Sequence, residues 1–187
     1  AGGAIKRGGS DKLKQEFLSS LIEGSKQLSF GYAELQSRFD LDDVATTAKK
    51  EGDTYVINGQ KSMVLNAESA DAIVVSVRTD GAQVDKNGIS LFLVDADSKG
   101  VEMENFPTVD GLRASEISFE NVEVDSSRLI GPINEGFGIL QEATNDAILA
   151  LCAEAVGAME VLYKDTVEYT QQREQFDHPL SDFQVLQ

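Results

Sequence analysis

Residues Thr54–Val77 read TYVINGQKSMVLNAESADAIVVSV, and the fold turns on how this stretch is read. Thr54–Ile57 and Gln60–Leu65 are strand-like runs on either side of Asn58-Gly59, the dipeptide best suited to a type I′ turn. The sequence therefore predicts a β-hairpin closed at Asn58-Gly59. Ala72–Arg78, dense in β-branched residues, predicts a buried strand just beyond it. The second arm of the hairpin ends Met63-Val64-Leu65, apolar where a strand facing a cofactor usually shows something polar or aromatic. The hairpin is either structural only or the wall of a cofactor site whose residues have changed.

Outward from this stretch the same texture continues. Val44–Lys49 and Ile89–Val94 read as strands, Gly81, Asn87 and Gly88 mark a loop, and Ile117, Phe119, Val122 and Val124 form a last β-rich run. Short strands without helices between them predict a sandwich or barrel rather than a Rossmann unit. On the N-terminal side, Ser10–Ile22 predicts a helix with Ser10 as N-cap, Leu13, Phe17 and Leu21 on one face and Gly24 as its stop. Ala1–Gly9 reads as a glycine-rich lead-in. On the C-terminal side, Asn134 is the expected cap of a long helix over Gly136–Gln172. Its segment Ala147–Ala153, AILALCA, is apolar on every face and is expected to be buried against helices outside this sequence. The fold class is thus α+β: a central β-sandwich or barrel-like domain over 28–131, flanked by helical segments over 1–27 and 132–187. The glycine-rich start and the amphipathic end SDFQVLQ suggest a piece of a longer protein with truncated all-α domains.

Composition narrows the function. The 187 residues carry a net charge of −16 and an isoelectric point near 4.3, which disfavours nucleic acid and anionic membranes as partners. No apolar run approaches the ~18 residues of a membrane span. The single cysteine, Cys152, excludes an internal disulfide and suits a reducing, cytoplasmic setting. Set in the most apolar part of the long helix, it reads as a buried core thiol. His178 is the only histidine, so histidine metal sites and Ser-His triads lose their support. Gly131–Gly138, GPINEGFG, lacks both the G-x-G-x-x-G spacing and a βαβ setting, and reads as the start of a helix.

Six segments, in order, resemble the acyl-CoA dehydrogenase family. GSDKLKQEFLSSLIEG looks like the helix that closes the family's N-terminal domain, and TTAKKEGDTYVINGQK (Thr46–Lys61) like its most recognisable hairpin. GISLFLVDADSKGVE and DGLRASEISFENVEVDSSRLIG look like its later strands. EGFGIL resembles the start of the following helix, and REQFDHPLSDFQVLQ (Arg173–Gln187) the R-x-Q-F-G…FQ segment of the C-terminal domain. The resemblance implies an FAD-dependent oxidoreductase acting on an acyl-CoA thioester: a carboxylate takes the α proton while the β hydride moves to flavin N5. It also implies an oligomer, homo- or hetero-, and an electron-transferring flavoprotein as partner.

The resemblance carries over residue by residue. The family's W-I-T-N, which lies against the flavin, aligns with Met63, Val64, Leu65 and Asn66, so the threonine hydroxyl that reaches N5 is replaced by Leu65. The family's T-E-P-x-x-G-S-D aligns with Ala33–Asp40: Glu34 and Asp40 are kept, threonine becomes Ala33 and serine becomes Phe39. Backbone contacts to the flavin pyrimidine edge are expected at Tyr32 and Ala33. Arg173, Gln175, Phe176 and Gln184 match the segment that reaches the FAD of a neighbouring subunit, with Asp177 in place of a glycine. The expected cofactor residues are therefore Tyr32, Ala33, Met63, Leu65, Arg173, Gln175, Phe176 and Gln184. No catalytic residue is assigned: the family's glutamate lies beyond Gln187 in most members, and where a minority carry it this chain has Ala147, with Asp146 about 100° away around the helix. Two rivals accompany this reading, a homologous subunit that supports an active partner without productive flavin binding, and a β-rich binding module without redox chemistry.

Overall fold

The computed structural model describes residues 1–186. The chain divides within its longest helix into two compact units, Ala1–Thr144 and Asn145–Gln187. In the first unit α1 (Gly2–Gly8) and α2 (Asp11–Glu23) precede eight strands: β1 (Leu28–Gly31), β2 (Thr47–Glu51), β3 (Thr54–Leu65), β4 (Ala72–Arg78), β5 (Ile89–Asp95), β6 (Val101–Pro107), β7 (Arg113–Asp125) and β8 (Leu129–Ile130). The helix α3 (Phe137–Gln172) begins in this unit and continues into the second. There it is followed by the short strands β9 (Glu174–Gln175) and β10 (His178–Pro179). The fold is α+β, as expected.

The strands form one sheet along the path β6-β7-β3-β2-β4-β5-β8, with β1 parallel to β4. The strands β4 and β5 are buried on both faces, which is why they read as continuous apolar runs. One face of the pair (Ile73, Val75, Val77, Phe92, Val94) packs with Ile57, Val64, Ile117, Phe119, Val122 and Val124 of β3 and β7. The other face (Ala72, Val74, Leu91, Leu93) packs with Ala4, Ile5, Leu13 and Phe17 of the N-terminal helices and with Leu140 and Ala143 of α3. The sheet therefore curls around one core and carries the helices on the outside of β4–β5, a barrel-like layering.

The hairpin is present, but it does not turn at Asn58-Gly59. Thr54–Leu65 is one continuous strand, and Asn58 pairs with Thr47. The turn is Gly52-Asp53, between Glu51 and Thr54. Gly52 lies at φ 63° while Asp53 has no positive φ, the pattern of a two-residue II′ turn with glycine first. Asn58 instead faces a bulge in β7, where Glu120 and Asn121 fit between the pairs Ile57↔Val122 and Gly59↔Phe119. The Asn121 N–H, from a residue at φ 50°, donates to Asn58 Oδ1 over 2.9 Å. Gly59 is needed because Thr46 crosses it closely: a Cβ there would lie 2.6 Å from Thr46 Cα.

Other expectations shift for identifiable reasons. The strand expected over Val44–Lys49 is Thr47–Glu51, since Ala45 and Thr46 give their N–H groups to the Glu34 carboxylate. The lead-in Ala1–Gly9 is largely the helix α1, held by burial of Ala4 and Ile5 despite its glycines. Ser10 caps α2 through Leu13 N, and Gly24 ends it in the left-handed region, as expected. Asn134 does not cap α3. It lies at φ 67° and its Oδ1 accepts from Thr79 Oγ1, while its backbone N–H donates to Ser90 Oγ, so it ties the β4–β5 loop to the start of the helix. The segment Ala147–Ala153 is exposed on this chain, Cys152 included, and no helix among the described residues covers it, in keeping with the expectation that its partners lie outside this sequence.

Candidate functional site

The first four candidate residues are brought together where the segment 29–33 runs beside the end of β3. Ser29 Oγ donates to Leu65 O over 2.8 Å, and Ser62 N donates to Ala33 O over 2.9 Å. Val64 is buried in the core while Met63 and Leu65 are half exposed (52% and 53%) on the opposite side, as strand alternation requires. A second bulge shapes this face. Ser62 and Met63 together oppose Glu116, between the pairs Lys61↔Ile117 and Val64↔Ser115. Met63 takes φ 52°, a left-handed conformation costing about 1–2 kcal/mol for a residue with a Cβ. Glu116 offsets that cost by accepting from Ser62 Oγ at 2.8 Å and from Met63 N at 3.2 Å.

Beneath this face lies a buried ion pair that the sequence did not reveal. Lys61 is 0% exposed and its Nζ donates to Glu34 Oε1 at 2.6 Å, to Ser76 Oγ at 3.0 Å and to Tyr32 O at 3.5 Å. Glu34 also accepts from Ala45 N, Thr46 N and Gln36 Nε2, so its oxygens are well supplied with donors. Burial pushes the Lys61 ammonium down to about 8, against the opposing pull of Glu34. Burial alone would raise the Glu34 carboxyl, but the Lys61 charge and hydrogen bonds from Lys61, Gln36 and Thr46 outweigh it and hold the carboxyl below its usual range. Alternation had placed Lys61 on a strand with no hint of its burial, and Glu34 lies too far away in sequence to suggest itself as partner.

The loop after Tyr32 carries different side chains from the motif it resembles. Arg38, at the motif's glycine, takes φ 50°. Phe39, at its serine, is 96% exposed and has no hydroxyl to offer a phosphate. Tyr32 packs edge-on against Phe30 with ring centroids 5.4 Å apart. Two adjoining clefts of about 580 and 220 Å³ open beside this loop. Their linings share Leu35, Gln60, Lys61 and Glu116, the larger adding Glu102 and Glu104. Neither includes Tyr32, Ala33, Met63 or Leu65, and the glutamates make the clefts hostile to a pyrophosphate.

The other four candidates lie in the second unit. The Arg173 carbonyl accepts from Leu180 N, closing a small hairpin in which Gln175 pairs with His178. Its turn is Phe176-Asp177, both at positive φ (56° and 63°), the signature of a type I′ turn. Asp177, where the resembled motif has a glycine, takes a left-handed backbone that an aspartate tolerates. Phe176 is 86% exposed and meets Phe183 edge-on at 6.4 Å. Gln184 begins a short 3₁₀ turn ending at Leu186. On α3, Asp146 and Ala147 are both exposed, and position 147 offers no carboxylate.

A FAD ring system fits what the first unit offers: an apolar surface at Met63 and Leu65, an aromatic edge at Tyr32, and a backbone donor. Among the described residues no acceptor takes the Ala33 N–H. No group that could hold a metal occurs among the described residues, and no helix among them is long and apolar enough to cross a membrane.

Comparison with known proteins identifies the family. The family model for the acyl-CoA dehydrogenase middle domain matches residues 29–122, and that for the acyl-CoA dehydrogenase C-terminal domain matches residues 134–187. The chain is 35% identical over 182 residues to a 3-(aryl)acrylate reductase of Clostridium sporogenes, covering 96% of this chain and 48% of that protein. It is 30% identical to the caffeyl-CoA reductase–Etf complex subunit CarC of Acetobacterium woodii, over 100% of this chain and 50% of that protein. The solved structure of butyryl-CoA dehydrogenase from Megasphaera elsdenii superposes with a TM-score of 0.91 at 29% identity, over 100% of this chain and 49% of the other. The chain spans about half the length of the relatives it matches. With both models in chain order and a superposition running through the whole sheet, the chain belongs to the acyl-CoA dehydrogenase family.

Proposed function

We propose that this chain carries the flavin-facing β domain of an FAD-dependent oxidoreductase that interconverts an acyl-CoA thioester and its α,β-unsaturated counterpart. The observation that carries this reading is the half-exposed Met63–Leu65 surface beside the outward Ala33 N–H. Met63 and Leu65 give apolar contact to one face of the ring system and exclude water from it. Ala33 N–H donates to a carbonyl at its pyrimidine edge, and Tyr32 flanks that edge. Arg173, with Gln175, Phe176 and Gln184, serves the cofactor of a neighbouring copy, where a planar guanidinium suits a pyrophosphate. When bound, FAD supplies the acceptor for the β hydride. No carboxylate stands at position 147, so no residue of this chain is assigned the α proton.

Family relatives named as an aryl-acrylate reductase and a caffeyl-CoA reductase support a reaction that runs toward reduction as well as oxidation. The relative named as part of an Etf complex supports an electron-transferring flavoprotein as redox partner, and a cytoplasmic homo- or hetero-oligomer completes the reading. A second reading, a homologous subunit supporting an active partner, draws on Ala33, Phe39 and Leu65, three places where the family's hydroxyl is absent. Leu65→Thr separates the two. Against a flavin it restores a donor worth about 0.5–1.5 kcal/mol, a few-fold to roughly tenfold gain in FAD affinity. FAD titration by flavin fluorescence measures it; unchanged affinity with a lower Tm would favour the silent subunit.

A further inference from the structure

We propose that the buried Lys61–Glu34 pair is a positioning device: it fixes the plane of the Tyr32–Ala33 peptide so that the Ala33 N–H stays turned outward, toward the ring system seated on Met63 and Leu65. The inference rests on the flavin reading of that face. A trans peptide points its C=O and N–H in opposite directions. Tyr32 O is held inward by two long contacts, from Lys61 Nζ and Ser76 Oγ, each 3.5 Å. The N–H of the same peptide must then face away from the pair. The next carbonyl, Ala33 O, is fixed on β3 by Ser62 N. Glu34 completes the grip. Its carboxylate binds Lys61 and the N–H groups of Ala45 and Thr46, while its own backbone N–H and carbonyl both bond to Ser37 Oγ. The loop 33–46 is therefore anchored to one ammonium at 0% exposure. Burying two charges is costly, and an apolar pair of equal volume is often as stable. Positioning gives the ions a use that stability does not.

Titration of Lys61 provides a readout that a merely structural role would not move. The charged groups around it are Glu34 on the loop, Glu116 on β7, Glu102 and Glu104 on β6 across the shared cleft, and Arg78 on β4, which feels the Glu34 charge. The Lys61 pKa in the fold, about 8, lies below its usual 10.5. The stability linked to this group is therefore present above 10.5 and lost as pH falls through about 8. Deprotonation in mild alkali does not weaken the fold. It does weaken the donor that holds Tyr32 O.

FAD titrations of the chain at about pH 7 and about pH 9, with melting curves at both, form the first arm. Affinity should fall at the higher pH with no fall in Tm; affinity that is flat with pH overturns the proposal. Lys61→Met alone leaves Glu34 buried without its cation, so the second arm uses the double variant Glu34→Gln/Lys61→Met. It should melt near the wild type, bind FAD about three- to tenfold more weakly, lose the pH dependence, and exchange the Ser62 amide faster. A folded double variant with wild-type affinity overturns the proposal and leaves the flavin reading standing. Wild-type chain that fails to bind FAD at all sinks the flavin reading, and the positioning role with it.

Discussion

Replacing Gly59 with alanine tests the reading of the long strand most directly, because Gly52→Ala serves as its internal control. Both glycines lie at positive φ, 145° and 63°, and an L-residue held in a sparse region costs about 1–3 kcal/mol. Both substitutions also recover about 0.4–1 kcal/mol by restricting the unfolded chain. They differ in what the new methyl meets. At Gly52 nothing lies within 4 Å, whereas at Gly59 the methyl would come within 2.6 Å of Thr46 Cα and 2.7 Å of Thr46 Oγ1. Thr46 has little freedom to retreat: its N–H binds Glu34, its hydroxyl binds Gln60 O, and its carbonyl accepts from Arg78 N. Forcing backbone apart in a packed core adds about 1–3 kcal/mol. Gly52→Ala should therefore cost about 0.5–2 kcal/mol and Gly59→Ala about 2–5 kcal/mol. Urea unfolding followed by circular dichroism gives both values. Equal losses, or a larger loss at Gly52, would refute the close crossing and return Asn58-Gly59 to the turn that the dipeptide suggests.

Two further outcomes are expected. Ser10→Ala removes the oxygen that accepts from Leu13 N and should lower stability by about 1 kcal/mol, with Ser10→Asp neutral; an unchanged urea midpoint for the alanine variant would show that the cap carries no weight. Glu34 titrates below its usual value of 4.5 in the fold, so its linked stability is present above that value and lost as pH falls through the lower one. An acid melting series should therefore lose stability below about pH 4.5, and Glu34→Gln should flatten that limb; identical acid limbs would contradict the pairing.

The legible parts of the fold are those where one local rule acts without competition. The strands β4 and β5 read correctly because burial on both faces leaves an unbroken apolar run, and α2 because Ser10 and Gly24 punctuate it. Asn58-Gly59 misled because the dipeptide's turn preference was overruled by pairing on both sides, to Thr47 in β2 and across the bulge in β7. The helix α1 was hidden by glycines that disfavour helix, and tertiary burial of Ala4 and Ile5 supplies what propensity lacks. At the candidate site, Tyr32, Ala33, Met63 and Leu65 were named through resemblance, since no periodicity marks them. What joins them, the Lys61–Glu34 pair and Glu116 at the bulge, arises from contacts across 27 and 53–54 positions, beyond the reach of any local pattern.

The setting of Asn58-Gly59 also bears on how the protein ages. In a mobile turn, the amide nitrogen of a glycine after asparagine attacks the side-chain carbonyl and expels its amide nitrogen as ammonia, and water then opens the resulting cyclic imide to aspartate or isoaspartate. Here Asn58 is held in an extended strand and its Oδ1 is engaged by Asn121 N–H, which keeps the side chain away from the attacking nitrogen. Deamidation at this site should therefore be slow in the native chain and rapid once β3 and β7 separate. Isoaspartate would insert an extra backbone carbon at the register point between Ile57 and Gly59, so a molecule damaged while open could not close again in register. Accumulated isoaspartate at Asn58, read by peptide mapping of stored protein, would thus serve as a chemical clock for the opening of this one strand pair.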